Sequence, residues 1–292
     1  MTNLSSPPPG SMAMVSRSLG AILIDSGRLR PQDAAKVLAL QKEAGLLFGD
    51  AALRLGLVTE ADISHALAHQ YEYPCLAAGD DRVASEVVAA FQPRLAIVEQ
   101  LRILRSQLKL RWLDTEAGKR MLAIVSPDSG EGRSFVAANL AVVFSQLGER
   151  TLLVDADLRR PRQHDIFRCE RGGGLSMLLS GRCREEQAVI PLTCLPGLFL
   201  LPAGAPPPNP QELLCRPVFA DLLRRVQADF DVVIFDTSAA QGVSDALAVA
   251  VGAGAALVVG RRDVSSAPHL RKVVVDMQQT GVNVLGSVLN AG

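Results

Sequence analysis

Two hydrophobic rhythms divide this chain. From about residue 17 to 75, apolar positions recur at helical spacing, and the pattern occurs twice. SLGAILIDSGRLRPQDAAKVLALQ (18–41) aligns with LFGDAALRLGLVTEADISHALAHQ (47–70), carrying Gly20 onto Gly49, Gly27 onto Gly56, Asp33 onto Asp62, Leu38 onto Leu67 and Gln41 onto Gln70. Each unit predicts a short helix, a Gly-closed turn and a second helix. Gly27 and Gly56 suit the left-handed residue that ends a helix. Thr59 and Asp62 suit the start of the next one, whose apolar Ile63 and Leu67 keep helical spacing. A small all-helical domain over 17–75 is therefore expected. Residues 1–16, rich in Ser, Pro and Met, read as disordered. Residues 76–98, with Gly, Asp, Pro and small side chains around one short helix, read as a linker.

Residues 99–118 predict an amphipathic helix, with Leu101, Leu104, Leu108 and Trp112 as its apolar stripe and Arg102, Arg105, Lys109 and Arg111 off it. From 120 the rhythm changes to short buried-strand runs at 121–126, 151–157, 198–202, 231–236, 256–260 and 283–290. Helical patterns fit between them, at 134–147, 211–228 and 266–280. Strands alternating with helices imply an α/β domain over 99–292, a doubly wound, mostly parallel sheet with helices on both faces. Ligands of such sheets sit at the carboxyl ends of the strands.

Composition narrows the function classes. A chain of 292 residues has room for about two domains. With 48% hydrophobic and 21% charged residues it can bury real cores. Thirty Lys+Arg balance thirty Asp+Glu, which argues against a whole-chain electrostatic grip on nucleic acid or anionic lipid. Cys75, Cys169, Cys183, Cys194 and Cys215 are odd in number and form no CxxC, so neither a zinc site nor a disulfide framework is indicated and a reducing, cytoplasmic compartment is expected. No apolar run approaches the ~18 residues of a membrane span, and MTNLSSPPPGSMAMVS lacks the pattern of a signal peptide.

Candidate chemistry lies in three segments. In SPDSGEGRSFVAANLA (126–141), a strand ends and a helix opens. Gly130 and Gly132 let the backbone turn tightly and aim amides at a phosphate, and the helix beginning near Arg133 adds its positive dipole end. Ser134 supplies the hydroxyl that a phosphate-bound Mg²⁺ needs. The candidate phosphate-binding residues are Ser129, Gly130, Glu131, Gly132, Arg133, Ser134 and Phe135. In TLLVDADLRRP (151–161), Asp155 and Asp157 end a strand and share a face if it persists to the second. In DVVIFDTS (231–238), four apolar residues close on Asp236, placed to hold metal through water.

Read together, these segments resemble the cytoplasmic domain of the bacterial tyrosine kinases of exopolysaccharide synthesis, which use P-loop machinery. The resemblance rests on the glycine loop, on Asp155, Asp157 and Arg159 as Asp-x-Asp-x-Arg, and on Asp236 as the third motif. PAGAPPPNPQELL (202–214) and VLN (288–290) also match. Among these kinases the chain is most similar to chain-length-determinant tyrosine kinases of the EpsG type, which share the GEGRS spelling and a helical N-terminal domain. The resemblance implies ATP and Mg²⁺ as nucleotide and cofactor, with Ser134, Asp157 and Asp236 on the metal. It implies Arg133 on the β/γ-phosphates and Asp155 helping to deprotonate a tyrosine hydroxyl. It also implies homo-oligomers built through Glu99, Arg102 and Arg105 (Glu-x-x-Arg-x-x-Arg), and a membrane chain-length-determinant (polysaccharide co-polymerase) partner that recruits the chain to the inner face of the membrane.

Three departures stand out. Arg133 replaces the loop lysine of the family, and no lysine lies between Lys119 and Lys272 to substitute for it. The third motif reads Asp-Thr-Ser-Ala without the usual proline. No tyrosine-rich tail is present, and the two tyrosines are Tyr71 and Tyr73, so a phosphoacceptor is expected in a partner or at one of these. A nucleotide-sensing scaffold without catalysis is the alternative these departures keep open. A partitioning-type P-loop ATPase is disfavoured, because its signature lysine position is Asp128. The N-terminal repeat resembles the small helical domain of type II secretion ATPases, some of which bind cyclic di-GMP. Gly20, Gly27, Gly49 and Gly56 match that pattern, but Ser18 and Leu47 stand where its arginines would be.

Overall fold

A computed structural model describes residues 18–70, 74–77, 79–113, 120–170 and 172–291. The expected disordered start, Tyr71, Tyr73 and the end of the predicted helix to 118 lie outside the described residues. The chain forms two compact units, Met1–Tyr73 and Pro74–Gly292.

In the first unit the repeat becomes helices α1 (Leu19–Asp25), α2 (Pro31–Ala44), α3 (Phe48–Arg54) and α4 (Glu60–Gln70). Ser18 caps α1, its hydroxyl accepting from the amide of Ala21. Thr59 and Asp62 cap α4 reciprocally: the Thr59 hydroxyl accepts from the Asp62 amide at 3.2 Å, and the Asp62 carboxylate accepts from the Thr59 amide at 2.9 Å. The helices close over Ile22, Leu23, Leu29, Val37, Ala51, Ala52, Val58, Ile63 and Ala66. The buried carboxylate of Asp33 is held below its ordinary range by hydrogen bonds from Lys36 (2.7 Å) and Arg30 (2.8 Å).

The second unit is built on seven strands: β1 (Met121–Val125), β2 (Thr151–Asp155), β3 (Ile190–Pro191), β4 (Leu198–Leu201), β5 (Val232–Asp236), β6 (Ala255–Arg261) and β7 (Asn283–Asn290). Their order is β3-β4-β2-β5-β1-β6-β7, parallel except for the β3–β4 pair. The helices are α5 (Val88–Phe91), α6 (Ala96–Leu108), α7 (Arg133–Ser145), α8 (Gln163–Ile166), α9 (Leu175–Leu179), α10 (Glu185–Ala188), α11 (Pro210–Leu214), α12 (Pro217–Asp229), α13 (Asp245–Ala253) and α14 (Ala267–Gln279). Strand alternation divides the core between the two faces. Leu122, Ile124, Leu153, Val232 and Ile234 pack with α6 and α7 on one side. Met121, Ala123, Val125, Leu152, Val154, Val233 and Phe235 pack with α12 and α13 on the other. The expected mostly parallel, doubly covered α/β sheet is what forms.

Three local expectations change. Residues 76–98 do not behave as a linker: Leu76, Val83, Val87, Ala89, Ala90 and Val98 are buried in the core beside α7. Asn139 fastens this stretch, accepting from the Ala89 amide at 2.9 Å and donating to the Glu86 carbonyl at 3.0 Å. Its small side chains permit close packing where composition alone pointed to flexibility. The helix expected at 99–118 begins at Ala96, ends at Leu108 and continues as a π-helical turn, Lys109–Leu113. That turn lets the indole N–H of Trp112 donate to the Met121 carbonyl at 3.0 Å. The short antiparallel β3 had no counterpart in the reading, since two residues carry no periodicity. Among the described residues, no helix is long and apolar enough to cross a membrane.

Candidate nucleotide-binding site

Parallel pairing of β2 with β5 sets Asp155 directly opposite Asp236, and pairing of β1 with β5 sets Ile124 opposite Asp236. Both carboxylates thus end at the same level as β1, where the chain leaves the sheet for the glycine turn. Gly130 (φ 81°) and Gly132 (φ 95°) both adopt the left-handed region, and α7 starts at the next residue. A side chain at Gly132 would also place its Cβ 2.1 Å from the Asn290 side-chain nitrogen, so only glycine fits. The three segments singled out by sequence therefore converge at the carboxyl edge of the sheet.

Their side chains divide the work unevenly. Ser129 and Gly130 are exposed, whereas Glu131 is fully buried. The Glu131 carboxylate accepts from the Asp128 amide at 2.8 Å and from the Ser265 hydroxyl, so it braces the turn from below. Phe135 packs against the hydrophobic core. The contribution of these two residues to a phosphate cradle is confined to their backbones. Ser134, half-buried, stands beside Asp236.

Arg133 is buried and turned under the loop. Its Nε donates to the Thr237 carbonyl at 2.7 Å, one terminal nitrogen donates to the Asp128 carbonyl (3.0 Å) and the Ser126 hydroxyl, and the other lies 3.6 Å from Asp157. One guanidinium fork thereby ties the phosphate turn to the ends of β5 and β2. A lysine ammonium, with one nitrogen, could not span these partners.

The second motif folds as a capped loop. One Asp155 oxygen accepts from the Asp157 amide (3.2 Å), the other from the amides of Arg162 (3.0 Å) and Gln163 (2.9 Å). Burial raises the proton affinity of Asp155 well above the ordinary carboxylate value, and the charge of Asp236 adds to it. Asp157 accepts from the amides of Arg159 and Arg160. Arg159 makes a two-pronged bond to Asp245 at the start of α13. Burial also raises Asp236, while Arg133, Gln163 and Ser134 pull it partly back.

A divalent ion fits this place on its donor set. Asp236 Oδ1, Gln163 Oε1 and Ser238 Oγ are buried with no hydrogen-bond partner. Unmatched buried acceptors cost stability unless a ligand or water satisfies them. Among the described residues, no cluster of three or more His, Cys, Asp or Glu could hold a metal by itself. A divalent ion here would take most of its ligands from phosphate oxygens and water.

Several site residues escaped the sequence reading. Gln163 donates to Asp236 at 2.8 Å and to the Ser134 carbonyl at 3.1 Å. Arg261 donates to the Gly130 carbonyl (3.3 Å), Asn290 to the Glu131 carbonyl (3.2 Å), and His269 meets Asp128 at 3.2 Å. Only Asn290 had a signal, within VLN (288–290).

The remaining candidates lie elsewhere. Arg102 pairs with Glu99 at 2.9 Å within α6, and Arg105 donates to the Val143 carbonyl of α7 at 2.6 Å. In the N-terminal unit, a Cβ on Gly20 would sit 2.9 Å from the Phe48 ring, and one on Gly49 would touch Leu19 and Ile63 at 3.4–3.5 Å. Gly27 (φ 70°) and Gly56 (φ 63°) close turns. Close packing at Gly20 and turn geometry at Gly27 and Gly56 have local causes, while a Cβ at Gly49 would make only ordinary contacts.

Comparison with known proteins shows what the chain is similar to. The tyrosine-protein kinase etk of Escherichia coli is 36% identical over 203 residues, covering 70% of this chain and 28% of that protein. The tyrosine-protein kinase wzc of Salmonella typhimurium is 33% identical over 207 residues, covering 71% of this chain and 28% of its own length. The chain thus spans little more than a quarter of these curated relatives. The crystal structure of the chimerical protein CapA2B2 superposes with a TM-score of 0.67 at 31% identity, covering 77% of this chain and 97% of that one. The model of the CobQ/CobB/MinD/ParA nucleotide binding domain matches residues 122–291, which include all three carboxylate and glycine segments, and the chain belongs to that family.

Proposed function

We propose that this chain is an ATP- and Mg²⁺-dependent protein-tyrosine kinase of the P-loop bacterial type that regulates exopolysaccharide chain length and export. What supports it most is the alignment of Asp155 with Asp236 beside the Gly-Glu-Gly-Arg-Ser turn. The backbone amides of 130–134 and the start of α7 bind the β/γ-phosphates. Ser134, Asp157 and Asp236 hold the metal or its water, and bound Mg²⁺ supplies neutralisation of the phosphate charge. Arg133 keeps the turn and the two carboxylate strands in register and carries the positive charge of the site. Asp155, made more basic by burial and by Asp236, would take the proton of the tyrosine hydroxyl as its oxygen bonds to the γ-phosphorus and the bond from that phosphorus to the leaving ADP oxygen breaks. Catalysis is then positioning and charge neutralisation.

The kinase names of the relatives support the same reading. The acceptor tyrosine comes from a partner, a membrane polysaccharide co-polymerase at the inner face of the membrane, and homo-oligomers form through Glu99, Arg102 and Arg105. Radiolabelled ATP with Mg²⁺ and a tyrosine-bearing partner tests this. Phosphotyrosine that disappears in Asp157→Asn is the expected result. Nucleotide binding with no transfer to any tyrosine would overturn the kinase in favour of a sensing scaffold.

A further inference from the structure

We infer that Gln163 is a positioning residue of this site: its carboxamide clamps one Asp236 oxygen to the phosphate loop and so leaves the other for the bound divalent ion. The inference rests on the nucleotide-binding reading above and adds a residue that no motif contains.

Gln163 is fully buried and touches all three segments. Its backbone amide donates to Asp155 at 2.9 Å, and its side-chain nitrogen donates both to Asp236 Oδ2 at 2.8 Å and to the Ser134 carbonyl at 3.1 Å. Both side-chain partners are acceptors when Asp236 is ionised, so the orientation of the amide is dictated by chemistry: nitrogen faces them and Oε1 faces away. That oxygen is buried without a partner, as is the other oxygen of the very carboxylate that Gln163 clamps. Holding Oδ2 also fixes which Asp236 oxygen remains for the metal. Outer groups that orient a metal-binding carboxylate commonly set metal affinity as strongly as the ligands do.

The test uses the full chain and a fluorescent ADP analogue titrated with excess Mg²⁺ and, separately, with EDTA. The readout is the ratio of the two dissociation constants, together with the melting temperature without nucleotide. Gln163→Met keeps the volume and removes the amide. It is expected to cut the Mg²⁺-dependent gain roughly tenfold and to leave affinity in EDTA within about twofold. Gln163→Asn keeps an amide one methylene short of its partners; it should lose part of the gain, and it decides the matter should the methionine variant not fold. Folded variants with an undiminished gain, or with equal losses in Mg²⁺ and EDTA, would reduce Gln163 to a structural role and overturn the inference. A wild-type protein that binds no nucleotide at all would instead remove the reading beneath it, a different and separately visible failure.

Discussion

Both units of this protein place glycines at the ends of helices. What surrounds them differs. In the N-terminal unit, Gly20 admits the Phe48 ring and Gly27 and Gly56 close turns. In the α/β unit, Gly130 and Gly132 open the helix that follows β1, beside the strand ends that carry Asp155 and Asp236, and one Asp236 oxygen is buried without a partner. Among the described residues of the N-terminal unit, the unpartnered buried atom is His65 Nδ1. A glycine turn is thus a geometric permission; what marks a place for a ligand is its convergence with carboxylates from two neighbouring strands, one of them with an oxygen left unpaired.

The sharpest way to break this contrast is Asp236→Asn. Losing the carboxylate should reduce phosphoryl transfer roughly 100-fold or more, because metal charge stabilisation is worth several kcal/mol. The same substitution should raise the melting temperature of the nucleotide-free protein, since it removes a buried charge. Next comes Gly132→Ala, expected to weaken binding of an ADP analogue about tenfold or more, with backbone strain of ~1–3 kcal/mol. Its counterpart Gly20→Ala should loosen the N-terminal unit, seen as faster proteolysis there, and leave nucleotide affinity within about twofold. Arg133→Lys keeps the charge but loses the fork. A cost of ~1–2 kcal/mol, about 2–8 °C by calorimetry, is expected with nucleotide binding retained.

A smaller effect is the pH dependence of the Asp236→Asn gain. Asp155 and Asp236 hold protons more tightly in the folded state than unfolded. Their protonation therefore favours folding fully below the unfolded carboxylate value, and that contribution is lost as pH rises through the folded values. The melting-temperature gap between Asp236→Asn and wild type should shrink as pH is lowered from 7 towards about 4. The smallest effect is expected from cyclic di-GMP: calorimetry at high micromolar ligand should register no heat, and measurable heat would show that the repeat does more than pack.

The sheet and its three chemical segments were legible because each buried strand is a continuous apolar run that ends on a charged or glycine-rich edge. Asp155, Asp157 and Asp236 announce themselves by breaking that run. Gln163 gave no such signal, for a glutamine between Arg162 and His164 is unremarkable until the chain folds back across two strands. The bracing of the loop by Arg261, Ser265 and His269 was hidden for the same reason: these partners lie more than a hundred positions from the turn they hold. The misjudged linker teaches the reverse. Alanines at 89 and 90 look featureless in sequence because their contribution is to be small enough for α7 to approach.

The register of β2 against β5 carries one more consequence. The contacts that align Asp155 with Asp236 also send Leu153 and Ile234 to one face and Val154 and Phe235 to the other. A slip by a single residue would exchange these side chains between two differently shaped cores, both of them buried. A slipped register would therefore be rejected by misfit in both cores long before chemistry was attempted, and the packed interior acts as the proofreader of the acidic edge.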